Sequence, residues 1–123
     1  MGFTYAFPEW RTLVKRLAAE YKLHGVGEDP EIRPLAAVWT VADSGDARSE
    51  KLARKLEALE PGTWRMIEHA AVDDPEMRAI YHPGYENVAA DREAVRQAWC
   101  SPRVLEVVSR RKIRLTGYRE LAR

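Results

Sequence analysis

Apolar residues recur at helical spacing along most of this chain. The first stripe begins just after Pro8, which suits a first helical turn because proline has no N–H to lose there. Gly25 suits the position just past a helix end, where a left-handed backbone is common. The pattern predicts a helix of about four turns that starts at Pro8. Its apolar stripe is Trp10, Leu13, Val14, Leu17 and Tyr21.

Two prolines divide the segment that follows. Pro30 and Pro34 both favour helix starts, and Pro34 cannot lie inside one longer helix. We therefore predict a turn near Pro30 and a helix over residues 34–43, which Gly45 would end. A strand over residues 36–42 is the alternative, because Val, Trp and Thr favour sheets. We reject the strand because no partner strand is evident nearby.

The middle of the chain predicts three further helices. Asp46 is the predicted N-cap of a helix whose leucines lie on one side, and Pro61 with Gly62 ends it. Thr63 is predicted to start a helix over residues 63–72. Asp74 is predicted to cap a short one that Pro75 opens.

The C-terminal third predicts two helices and a final turn. Asn87 is predicted to cap a helix that runs to Cys100, and Ser101 to cap one that runs to Lys112. Residues 118–123 are predicted to form one last turn. The prediction is an all-α fold: a single-domain bundle of about six to seven short helices joined by tight loops, over residues 1–123. We also expect the four tryptophans, each on a different predicted helix, to share one core.

Composition restricts the class of protein. A hydrophobic fraction of 46% and a charged fraction of 32% are typical of a soluble globular domain and exclude a disordered chain. No run approaches the roughly 20 apolar residues of a membrane span, and no secretory signal is recognisable. Cys100 is the only cysteine, which favours a reducing cytoplasm. Abundant Ala and Arg suggest a bacterial or phage origin.

Charge is distributed unevenly along the sequence, although the net charge is only +1. Residues 1–26 carry +2, residues 27–91 carry −7 and residues 92–123 carry +6. Such asymmetry indicates either an anionic partner or pairing between the acidic and basic blocks. We keep both interpretations open here.

The basic C-terminal segment, residues 109–123, is the strongest candidate binding site. Arginine side chains match the geometry of phosphate oxygens, and a tyrosine can stack on a base. We expect the cations from Arg92 to Arg123 to form one continuous positive surface, free of carboxylates. This pattern predicts a non-enzymatic nucleic-acid-associated protein, either a small regulator or a helical subunit of a nucleoprotein complex, that binds DNA or RNA. The candidate residues are Arg110, Arg111, Lys112, Arg114, Tyr118, Arg119 and Arg123.

Two other functions compete with this one. The protein could be an interaction module or assembly subunit whose basic tail pairs with the acidic middle of another copy or of a partner protein. A weaker alternative is a small enzyme that uses Cys100, near a predicted helix N-terminus, or His69, four residues before Asp73. We predict no metal site and no cofactor, because the sequence has no His-Glu-x-x-His motif, no cysteine pair and no glycine-rich phosphate loop.

Overall fold

The computed structural model describes residues 8–23 and 31–121, and this part of the chain is mostly helical. It contains six α-helices and one pair of three-residue strands. The predicted all-α class is confirmed. The elements in chain order are α1 (Pro8–Glu20), β1 (Ile32–Pro34), α2 (Gly45–Glu57), β2 (Thr63–Arg65), α3 (Pro75–Arg78), α4 (Val88–Trp99), α5 (Pro102–Arg110) and α6 (Tyr118–Leu121).

The described residues divide into two compact units. Unit 1 contains α1, the two strands and the segment from Leu115 through α6. Unit 2 contains Leu35–Pro61 and Met66–Arg114, and therefore α2, α3, α4 and α5. The single domain predicted over residues 1–123 stays a prediction.

The core of unit 2 lies where α2 packs against α4 and α5. Leu52 of α2, Ala98 of α4 and Val104 of α5 are completely buried. Burying a side chain the size of Leu52 contributes about 1.5–3 kcal/mol. Gly45 is the first residue of α2 and lies next to α4. A Cβ at that position would collide with the Gln97 side chain. The small residue at position 45 therefore permits the close approach of the two helices.

Side-chain caps start three of the helices. Ser44 accepts a hydrogen bond from the Ala47 N–H (3.3 Å) and is the N-cap of α2, so the prediction of Asp46 for this role is wrong. Asp74 caps α3 through the Met77 N–H (2.8 Å), as predicted. Ser101 caps α5 as predicted. Asn87 occupies the N-cap position of α4 but makes no side-chain capping bond.

Lysine ends two helices in the left-handed conformation that usually favours glycine. Lys22 after α1 has φ 52° and Lys112 after α5 has φ 54°. In α5 the Ile113 N–H donates to the Val108 carbonyl (2.9 Å) and the Lys112 N–H to the Ser109 carbonyl (3.0 Å). These two bonds form a Schellman motif, which satisfies helix-end carbonyls. Gly25, the predicted terminator of the first helix, lies outside the described residues, as do His24 and Pro30.

The helices predicted over residues 34–43 and 63–72 are wrong. Residues 35–40 have no regular secondary structure, and residues 63–65 form β2. β1 and β2 pair in parallel, with Arg33 opposite Trp64. The partner strand lies some thirty residues away along the chain, so neighbouring sequence could not reveal it. Further on, residues 66–74 have no regular secondary structure, and the Ala71 N–H donates to the Arg92 carbonyl of α4 (3.3 Å).

The four tryptophans do not share one helical core. Trp10 and Trp64 belong to unit 1, whereas Trp39 and Trp99 belong to unit 2. Trp39 and Trp64 lie outside the helices. Trp10 is 45% exposed, and the predicted stripe of α1 is largely open to solvent among the described residues.

Candidate nucleic-acid interface

The charges of the two units differ from the charges of the sequence blocks. The described residues of unit 1 include seven basic and four acidic side chains, a net charge of +3. Those of unit 2 include twelve basic and thirteen acidic side chains, a net charge of −1. The acidic middle and much of the basic C-terminal block therefore fold into the same unit and nearly cancel there. Unit 1 is the net basic unit.

The end of α5 presents four of the predicted cations. Arg110, Arg111, Lys112 and Arg114 are all exposed. The Schellman motif fixes the backbone from which the first three project. Cations at this position also complement the partial negative charge of the helix C-terminus.

Arg110 is paired with a carboxylate, contrary to the expected surface free of carboxylates. Its two terminal nitrogens donate to the two oxygens of Glu57, at 3.1 and 2.7 Å. Glu57 is the last residue of α2, so this bidentate pair joins the ends of two helices. Both side chains are about half exposed, at 57% and 43%. An ion pair this open contributes at most about 1 kcal/mol.

Arg111 uses part of its guanidinium on the backbone. One terminal nitrogen donates to the Leu59 carbonyl, just beyond α2, at 2.5 Å. The guanidinium keeps its charge and its remaining donors. The side chains of Lys112, Arg114 and Arg119 have no hydrogen-bonding or ion-pair partner among residues 8–23 and 31–121. Arg123 lies outside the described residues.

Unit 1 brings together arginines and aromatic rings that sequence reasoning did not select. The Arg33 guanidinium lies over the Trp64 ring, 5.1 Å from its centroid. Gly62, with φ 148°, runs beneath this guanidinium, and a Cβ there would contact it at 3.4 Å. The only signal in the sequence was the strand-favouring Thr63-Trp64 pair directly after a Pro-Gly turn.

A second arginine–aromatic pair contains the predicted Tyr118. Arg65 donates to the Tyr118 hydroxyl at 3.4 Å, and the tyrosine is 42% exposed. The Glu120 carboxylate accepts from the Gly117 N–H at 2.6 Å, which is half of a capping box and positions α6. Of the predicted residues, Tyr118 and Arg119 therefore lie in unit 1, and the cations up to Arg114 lie in unit 2.

The most completely bonded polar cluster in unit 2 is structural. Arg48 is 1% exposed and donates to the carbonyls of Asp43, Thr40 and Asp91 and to the Asp91 carboxylate. Tyr85 donates to the other Asp91 oxygen. Burial opposes the charge on Asp91, but hydrogen bonds from Tyr85 and Arg48 hold the pKa of its carboxyl below the usual value. Because these donors and acceptors satisfy one another, the cluster offers no group for substrate chemistry.

The residues of the enzyme alternative do not form a site in the described part of the chain. Cys100 is exposed at the C-cap of α4, one residue before the Ser101 cap of α5. His69 is exposed beside Glu68, whose pKa is raised by burial. Among residues 8–23 and 31–121, no three His, Cys, Asp or Glu side chains group in a way that could hold a metal ion.

Two further findings concern membrane spans and similarity to known proteins. None of the helices in the described ranges combines the length and apolar character that a membrane span requires. No protein-family model, curated protein or solved structure matches the sequence or the fold.

Proposed function

We propose that this protein is a non-enzymatic nucleic-acid-associated protein that contacts phosphate backbone through basic residues of its C-terminal segment. The observation that carries the proposal is the end of α5, where Arg110, Arg111, Lys112 and Arg114 project into solvent from a backbone fixed by the Schellman motif. Four exposed cations within five residues can contact several phosphates of one backbone at once, which a single small anion does not offer.

The pairing of Arg110 with Glu57 is compatible with this function. An arginine fork binds phosphate with the same two-pronged geometry that it uses for a carboxylate. Because the pair is exposed, it contributes at most about 1 kcal/mol, which a phosphate contact with counterion release can offset. The side chains of Lys112 and Arg114 have no bonding partner among the described residues that a phosphate would have to replace.

A variant that removes these four charges tests the proposal. Glutamine at positions 110, 111, 112 and 114 keeps side-chain length and polarity while removing the charge. We expect this variant to lose at least tenfold in affinity for both duplex DNA and single-stranded RNA at low salt, measured by electrophoretic mobility and fluorescence anisotropy.

The matched control removes exposed charges elsewhere on unit 2. Arg54→Gln and Arg78→Gln break exposed pairs with Glu50 and Asp73 that are remote in sequence from the end of α5. The double variant should keep affinity within about twofold. If the wild-type protein retains neither DNA nor RNA at low salt, or if the control loses as much as the quadruple variant, the proposal is wrong.

The assembly alternative is the second candidate function, and one observation weighs against it. It paired the basic tail with the acidic middle of a second copy. The Arg110–Glu57 pair makes that connection inside one chain, between α5 and α2.

A further inference from the structure

We infer that unit 1 binds single-stranded nucleic acid by stacking at two positions, the Arg33–Trp64 pair and the Arg65–Tyr118 pair, on opposite faces of the two-stranded ribbon and together called the stacking site. This inference rests on the proposed nucleic-acid function and specifies its substrate class. The first pair is a guanidinium over an indole ring, and the second is a guanidinium that donates to a tyrosine hydroxyl; their four residues lie on three short elements of the net basic unit. We name them the stacking pairs.

The first stacking pair presents a flat cationic surface. Arg33 and Trp64 are directly opposite in the parallel register of β1 and β2, so their side chains share one face of the two-stranded ribbon. The guanidinium lies over the half-buried indole and is itself exposed. A guanidinium plane supported by an aromatic ring is a surface on which a nucleobase can stack.

The second stacking pair presents an aromatic ring with a cation at its edge. Arg65 follows Trp64 in β2, so its side chain points to the opposite face of the ribbon. It donates to the hydroxyl of Tyr118, at the edge of a side chain that is 42% exposed. Arg119 comes next in α6 and adds a cation that has no partner among the described residues.

Unpaired bases fit these pairs better than the other anionic partners do. In a duplex the base faces are already stacked, so a protein ring gains nothing from them without unstacking. An acidic peptide could pair with the arginines but has no base to place against Tyr118 or the Arg33 plane. A single strand supplies both the phosphate and the exposed π-face. The net charge of +3 in the described part of unit 1 favours the same ligand.

Replacement of Tyr118 separates stacking from charge. The probes are a fluorescein-labelled oligothymidine of about 20 nucleotides and a duplex of equal length, at one fixed low salt concentration. We expect Tyr118→Leu to weaken oligothymidine binding about fivefold or more and to change duplex binding less than twofold. Tyr118→Phe keeps the ring and should bind oligothymidine within about twofold of the wild-type protein. Tyr81→Leu, which removes an exposed tyrosine of unit 2, is the matched control and should leave both affinities unchanged.

Arg33 gives an independent second test. Arg33→Gln removes the guanidinium from the Trp64 ring, and it should also weaken oligothymidine binding more than duplex binding. Circular dichroism of each variant establishes that it is folded. If Tyr118→Leu and Arg33→Gln bind oligothymidine like the wild-type protein, the stacking site is wrong and the backbone-binding function stands. Equal losses on oligothymidine and duplex also overturn the stacking site. If the wild-type protein binds neither probe, both proposals fail.

Discussion

The Arg48 guanidinium and the Asp91 carboxylate form a buried ion pair, with 2.5 Å between nitrogen and oxygen, that joins α2 to α4. Arg48 also donates to the carbonyls of Thr40 and Asp43, and its guanidinium lies 5.9 Å from the Trp39 ring centroid. One side chain therefore connects two helices to the irregular segment that precedes α2.

Removal of Arg48 should destabilise unit 2 strongly. Arg48→Met keeps much of the volume but removes the donor to the carbonyls of Thr40, Asp43 and Asp91 and one of the two side chains that donate to the Asp91 carboxylate. We expect a loss of about 3–5 kcal/mol in the free energy of unfolding, measured by urea denaturation. Arg54→Met breaks only the exposed pair with Glu50 and should cost at most about 0.5 kcal/mol. Equal effects of the two substitutions would show that the Arg48 cluster is not what joins these elements.

The stability of the protein should depend on Glu93 only above strongly acidic pH. Hydrogen bonds from Arg96 lower the pKa of the Glu93 carboxyl from 4.5 to about 2. A lowered pKa means that the ionised form stabilises the fold. This contribution is complete above pH 4.5, falls as the carboxyl protonates, and is lost below about pH 2. Glu93→Gln should therefore be less stable than the wild-type protein at pH 7, with a difference that shrinks between pH 4.5 and 2. A constant difference across urea titrations at these pH values would contradict the assignment.

Glycine at position 112 should stabilise the protein. Lys112 has a left-handed backbone, which is sterically unfavourable for lysine but not for glycine. Lys112→Gly should raise the free energy of unfolding by up to about 1 kcal/mol, because relief of this strain exceeds the added freedom of the unfolded chain. Lys112→Ala removes the same charge but keeps the strain, and it should leave stability nearly unchanged. If alanine and glycine have the same effect in thermal unfolding, charge and not backbone conformation is responsible.

A side chain at position 45 should separate α2 from α4. Gly45→Ala places a Cβ at the buried start of α2 against the side chain of the exposed Gln97, and we expect a loss of about 1–3 kcal/mol. Shortening Gln97 to Ala should make that loss smaller when the two substitutions are combined, in a double-mutant cycle. Additive losses would show that Gln97 is not the obstacle.

The sequence predicts the elements whose signals are local. Pro75 after the Asp74 cap and Pro102 after the Ser101 cap specify α3 and α5 within four residues of chain, and both caps are confirmed. Where contacts with residues distant in sequence determine the local structure, the prediction of secondary structure from the sequence fails. The Arg48 guanidinium of α2 donates to the carbonyls of Thr40 and Asp43 and so holds the irregular segment that the sequence predicts as a helix over residues 34–43. No pattern in those ten residues reveals a donor located in the next helix.

The candidate site shows the same division between local and distant contacts. The cations at the end of α5 follow directly from the sequence, because consecutive basic residues at a helix end are exposed whatever the fold. The stacking pairs depend on contacts across long stretches of chain. Arg33 and Trp64 are brought together by strand pairing, and Arg65 and Tyr118 are 53 residues apart. The acidic and basic blocks of the sequence do not predict which charges are paired, for the same reason. Glu57 and Arg110 are 53 residues apart in sequence yet form an ion pair.

The salt dependence of nucleic-acid binding tests the central claim most directly. Four phosphate contacts from Arg110, Arg111, Lys112 and Arg114 on duplex DNA predict a slope of about −3.6 for log affinity against log salt concentration. Glutamine at all four positions should flatten that slope towards zero. A wild-type slope near zero, or a slope that the four substitutions leave unchanged, would contradict the claim that these cations bind the phosphate backbone.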